Sequence, residues 1–159
     1  MTIAVCLKWI NASGQPDADQ PDERFMGISY ADQAALEYAL RVGEHTQEEI
    51  IVVTAGPVGS DIVLRDALAR GAHHAVRVDI DRATDSEAIA RAIAPVVANC
   101  SLIWCGDYSV DRGSGSVPAF IAARLSCDQA LGLVEIEIPA NAQQAISALR
   151  RLDGGRRER

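Results

Sequence analysis

Residues 48–80 read EEIIVVTAGPVGSDIVLRDALARGAHHAVRVDI, and this stretch decides the fold. It opens with a continuous apolar run, EEIIVVTAG, of strand length, which Gly56-Pro57 ends. The segment SDIVLRDALA, residues 60–69, then takes up helical spacing, with Ser60 placed to cap it and Gly71 to stop it. HAVRVDI is a second β-rich run. Two apolar strands joined by one helix form a crossover unit, and a strand that is apolar on both faces belongs in a parallel sheet covered on both sides.

The same alternation extends in both directions. Upstream, residues 3–10 (IAVCLKWI) are a β-rich run, and residues 31–45 (ADQAALEYALRVGEH) carry Ala35, Leu36, Ala39 and Leu40 on one helical face. Downstream, residues 85–98 read as a third helix with Thr84 or Asp85 as its cap. SLIWCG is a fourth strand, and residues 116–125 are a fourth helix. The fold class is therefore α/β, a doubly wound and mostly parallel sheet. Ligands in such sheets bind beyond the carboxyl ends of the strands, where the winding direction switches. That rule selects the loops after the first strand (Lys8 onward), the second (residues 54–57) and the fourth (Gly106 onward). After Cys127 the rhythm changes: LGLVEIEI reads as a strand, and QQAISALRRL as another strand or a short helix. The chain then reaches the turn signal DGGRRER, where an ordered partner strand is expected to be missing. The polar stretch 11–25 reads either as a solvated surface loop or as a segment lying over a ligand.

At 159 residues the chain is expected to form one domain. Apolar residues make up 48% but aromatics only 4%, which suits packed α/β layers and argues against disorder. A net charge of −7 argues against nucleic acid as a partner, because counterion release needs a cationic face. No apolar run is long enough for a membrane span, MTIAVCLKWI reads as a strand and not a signal peptide, and a cytoplasmic location is expected. Cys6, Cys100, Cys105 and Cys127 form no CxxC pair and read as reduced thiols. His73 and His74 read as surface residues.

The loop GDYSVDRGSGS, residues 106–116, offers backbone N–H groups, hydroxyls and a helix start in one short span. Glycines permit close approach and positive φ, and a helix N-terminus favours an anion. Ser114, Gly115, Ser116 and Val117 are the candidates to cradle a phosphate, with a bare turn as the alternative. The loop is neither a Walker A loop nor a dinucleotide fingerprint. Asp107 and Asp111 form either a carboxylate pair or turn and cap residues, and Asp111 is also placed to accept from a ribose hydroxyl. Trp9 and Tyr30 are candidates to line a pocket for a ring. No nucleophile elbow or metal box occurs, so binding is expected rather than catalysis.

Five collinear patterns together resemble the electron transfer flavoprotein β subunit. They are IAVCLKWI, ADQAALEYALRVGE, VVTAGP with LRDALARGAHHAVRVD, GDYSVDRGSGSVPAFIAARL, and the terminal RRLDGG. The resemblance implies an adenine nucleotide α-hydrolase-like, Rossmann-like fold with extra C-terminal strands. It also implies a structural AMP in this chain and an FAD held mainly by an α-subunit partner. Electrons would pass from acyl-CoA or other flavin dehydrogenases towards the respiratory chain. Carried over by position, the nucleotide contacts are Cys6 and Lys8, then Ser29, Tyr30, Ala31 and Asp32, then Ala55. The main loop adds Gly106, Ser109, Asp111, Ser114, Gly115, Ser116 and Val117. The chain departs from the family pattern at Ser29-Tyr30, Arg112, Ser116 and Pro118-Ala119, which weighs against a second FAD in place of AMP. Family chains continue past the Asp-Gly-Gly turn into a returning strand, a recognition loop and a partner-wrapping arm, so either a truncated form, with a tendency to self-associate, or a natural short form or frameshifted product is expected. The alternative is a stand-alone adenine-nucleotide-binding protein of the universal stress protein type.

Overall fold

The structure is a computed structural model that describes residues 1–12, 23–111, 113–141 and 145–159. Its central sheet holds four parallel strands: β1 (Thr2–Cys6), β4 (Glu49–Ala55), β5 (His74–Val78) and β6 (Leu102–Cys105). Between β1 and β4 lie the two-residue strands β2 (Ile10–Asn11) and β3 (Met26–Gly27), which pair antiparallel, and then helix α1 (Tyr30–Thr46). Helix α2 (Asp61–Ala69) joins β4 to β5, α3 (Ser86–Val97) joins β5 to β6, and α4 (Val117–Leu125) follows β6. The sheet order is β5-β4-β1-β6. The chain therefore winds outward from β1 through β4 to β5, crosses back, and adds β6 on the far side of β1. The direction of winding reverses between β1 and β6.

Strand periodicity explains how both faces are covered. Successive side chains of a strand point to opposite sides. Ile3, Val5 and Leu7 pack with Ile50 and Val52 against Ala35, Leu36, Ala39 and Val42 of α1 and Val63, Leu64 and Ala67 of α2. Ala4, Cys6 and Val53 face the other way, onto Ala90, Ile93 and Val97 of α3 and Ile121 of α4. The doubly wound α/β architecture expected from the alternation is the one observed.

Local signals fare unevenly. Asp85 caps α3, its carboxylate accepting from the Ala88 N–H at 2.8 Å. Gly71 follows α2 with φ +114°, as a helix stop should. Ser60 precedes α2 but does not cap it with its side chain: the hydroxyl donates back to the Pro57 carbonyl at 2.7 Å, within a single-turn 3-10 helix. His73 and His74 are exposed, and all four cysteines are free thiols.

The C-terminal part forms a separate antiparallel sheet from β7 (Leu133–Glu137), β8 (Ser147–Arg151) and β9 (Arg157–Glu158). The ambiguous segment before the turn is thus a strand. The expectation that β8 lacks a returning partner is corrected at its end. Asp-Gly-Gly turns through Gly154 and Gly155, both at positive φ, and β9 pairs back with Arg150 and Arg151. Ion pairs of Arg150 with Glu158 and of Arg159 with Glu137 staple this return. Ile138 and Ile146, which flank the connection between β7 and β8, lean on the α1-side core. Residues 13–22, most of the polar stretch, and Arg112 lie outside the described residues. No described helix is long and apolar enough to cross a membrane.

Candidate nucleotide-binding site

The reversal between β1 and β6 creates a cleft at the carboxyl ends of the strands, and one carboxylate builds its floor. Ser29 starts α1, its hydroxyl oxygen accepting from the Asp32 N–H at 3.0 Å. That cap turns the Asp32 carboxylate back toward the sheet. There it accepts from the Lys8 N–H at 3.0 Å and from the Gly106 N–H at 3.2 Å. The two chain segments leaving β1 and β6 are thereby tied to the first turn of α1. The approach is close enough to require glycine: a Cβ on residue 106 would lie 2.4 Å from Asp32 Oδ1 and 2.7 Å from the Asp32 nitrogen. Asp32 is only 5% exposed. Burial raises its pKa from 3.8 to about 6, against the lowering effect of the Lys8 and Gly106 N–H donors.

The loop after β6 folds on itself above this floor. Gly115 takes φ +55°, and a Cβ there would lie 2.4 Å from the Asp107 carbonyl oxygen. The turn directs residues 114–117 and the N-terminus of α4 into the cleft. In the same cleft, Lys8 Nζ pairs with Asp111 Oδ1 at 2.7 Å and donates to Ser109 Oγ at 3.2 Å. Trp9, Ile80 and Ile89 also line the cleft, and the Arg82 guanidinium sits 5.6 Å from the Trp9 ring centroid. The whole cleft encloses about 400 Å³, within the range of small-molecule sites, roughly 300–1,000 Å³.

Of the positions singled out from the sequence, the cleft lining gathers Cys6, Lys8, Asp32, Ala55, Gly106, Ser109, Asp111, Ser114, Gly115, Ser116 and Val117. Ser29, Tyr30 and Ala31 are not among the lining residues: Ser29 is buried as the helix cap and Tyr30 is 88% exposed. Trp9 joins the lining, and Tyr30, the other aromatic candidate, does not. The structure adds a segment that the sequence reading passed over, residues 80–83, together with Ser86 and Ile89 of α3. This segment follows the carboxyl end of β5, so the rule that selected the other loops applied to it too. It lacks a glycine signature to draw attention. Among the described residues, no cluster of three or more His, Cys, Asp or Glu is arranged to hold a metal.

A family model described as the electron transfer flavoprotein domain matches residues 22–159. The chain belongs to the electron transfer flavoprotein family. Within it the similarity is to β-type subunits. It is 31% identical to Protein FixA of Rhizobium meliloti (strain 1021), over 98% of this chain and 58% of that protein. It is also 31% identical to the electron transfer flavoprotein subunit beta of Methylophilus methylotrophus, over 87% of this chain and 55% of the relative. The acryloyl-CoA reductase electron transfer subunit gamma of Anaerotignum propionicum is 29% identical, over 81% and 53%. The chain thus spans somewhat more than half the length of these curated relatives.

Proposed function

We propose that this electron transfer flavoprotein β-like chain holds AMP in the switch-point cleft. In this reading it pairs with an FAD-carrying α subunit, and the pair relays electrons from acyl-CoA or other flavin dehydrogenases towards the respiratory chain. FAD supplies the electron-carrying chemistry, and this chain contributes binding and positioning. The observation that carries the reading is that the α4 N-terminus, the tight Gly115 turn and Lys8 line one cleft. A helix N-terminus with an ammonium in the same cleft suits a phosphate monoester. The Asp111 carboxylate, already hydrogen-bonded to Lys8 Nζ, lies where a ribose hydroxyl can donate to it. Trp9, Ile80 and Ile89, all in the cleft lining, offer apolar surface to a base. The volume suits a mononucleotide.

Nucleotide released from the purified, denatured protein, identified by mass, tests this reading. Titration of nucleotide-stripped protein with AMP and with adenosine adds the phosphate's share. AMP should be recovered or should bind, and adenosine should bind at least tenfold more weakly. Recovery of no nucleotide, together with no thermal stabilisation by AMP, ADP or FAD, would overturn it.

A further inference from the structure

Two thiols meet on the cleft's floor. In the register between β1 and β6, Cys6 stands directly opposite Cys105, although 99 positions separate them. Paired residues of neighbouring parallel strands put their side chains on the same face, and both belong to the cluster packed against α3 and α4. Both also line the cleft. Neighbouring strands run ~4.8 Å apart, inside the Cα separation of roughly 4.4–6.8 Å that a disulfide bridges. The neighbouring Cys105 thiol and burial together push the Cys6 thiol well above its ordinary range. Cys105 is the more exposed of the two.

We propose that Cys6 and Cys105 are a redox-active thiol pair that closes to a disulfide across the switch point by exchange with a low-molecular-weight disulfide such as glutathione disulfide. Cys105, reached first from the cleft, attacks as its thiolate. A Cys105–glutathione mixed disulfide forms and one glutathione thiolate leaves. Cys6 gives up its proton to water and attacks the Cys105 sulfur, expelling the second glutathione. Two protein thiols are oxidised by two electrons, one glutathione disulfide is reduced to two glutathiones, and the two protons end on the released thiolates. The roles follow from the packing: the more exposed thiol makes the first contact, and the buried one, directly opposite it, is placed to attack the mixed disulfide as its thiolate. Closing the bond adds a covalent link between the already paired ends of β1 and β6 beneath the cleft.

The test uses the whole chain. It is incubated with excess glutathione disulfide at about pH 8, where free thiols begin to ionise, then quenched in acid, unfolded and alkylated. Digestion with trypsin and chymotrypsin cuts after Trp104, so Cys100 and Cys105 fall on separate peptides. The expected result is a peptide pair joining Cys6 to Cys105 that dithiothreitol releases, with alkylation lost at both positions. In Cys6→Ser, Cys105 should instead accumulate as the glutathione adduct. The proposal is overturned if Cys6 is recovered fully alkylated in the oxidised wild-type chain, or if it is joined to Cys100 or Cys127.

Discussion

Replacing Asp32 with Asn should remove a specific pH dependence from the stability of this protein. The Asp32 pKa is about 6 when folded against 3.8 for the free side chain, because burial disfavours its charge. A raised carboxyl pKa means that the native state binds the proton more tightly than the unfolded chain. The group therefore costs nothing well below its unfolded pKa of 3.8, where both states are protonated. Above about pH 6, where both are ionised, a shift of about two units costs about 3 kcal/mol. Within the window, stability should fall by up to about 1.4 kcal/mol per pH unit as pH rises. Asn does not titrate, so Asp32→Asn should flatten that slope. Its one oxygen satisfies either the Lys8 or the Gly106 N–H, and its amide then points a donor at the other. That adds a pH-independent loss of about 1–3 kcal/mol, which shifts the curve without changing its slope. Urea unfolding of both proteins, followed by circular dichroism from about pH 4.5 to 8, gives the two curves. A wild-type chain that gains stability relative to the variant as pH rises would refute the reasoning. It would show that the two backbone donors outweigh burial.

Other outcomes follow from the same geometry. Gly115→Ala forces an L-residue to φ +55° with its Cβ 2.4 Å from the Asp107 carbonyl. It should cost about 2–4 kcal/mol and lower the calorimetric Tm by roughly 5–15 °C; an unchanged Tm would mean that the loop relaxes freely. Lys8→Ala removes a partly exposed ion pair and should alter stability by less than about 1 kcal/mol. It should nonetheless weaken AMP binding by roughly 10–100-fold in a titration, and equal affinity would place the phosphate elsewhere. Bound AMP should also slow alkylation of Cys105, read by mass, while leaving exposed Cys127 unaffected.

The sheet was legible because it rests on period and length. EEIIVVTAG is too apolar for a half-exposed strand, and SDIVLRDALA changes period within five residues of it. The position of the cleft followed from topology, since a sheet that reverses its winding leaves a gap beyond the strands that flank the reversal. What escaped was short or long-range. β2, β3 and β9 have two residues each, below the length at which any periodicity exists. Ser60 carries a cap residue's chemistry, but its hydroxyl found a nearer acceptor at Pro57. The facing of Cys6 and Cys105 depends on the β1–β6 register, which no local pattern contains.

Asp32 shows why a site residue's position can be read more easily than its job. The sequence places it in the first turn of α1 and the family resemblance assigns it to the nucleotide. In the structure both its oxygens accept from the chain's own backbone, at Lys8 and Gly106. A buried carboxylate that accepts one main-chain N–H on each oxygen ties β1, β6 and α1 into one geometry while also lining the cleft. Ser29 and Gly106 serve the same joint, one by capping the helix and the other by letting the backbone pass. Lys8, Ser114, Gly115 and Ser116 stand above it, facing the cleft. Asp32 and Gly106 therefore both build the cleft and line it, whereas the side chains of Lys8, Ser114 and Ser116 line it without holding the strands to α1. Only the second set should change ligand preference without changing the fold.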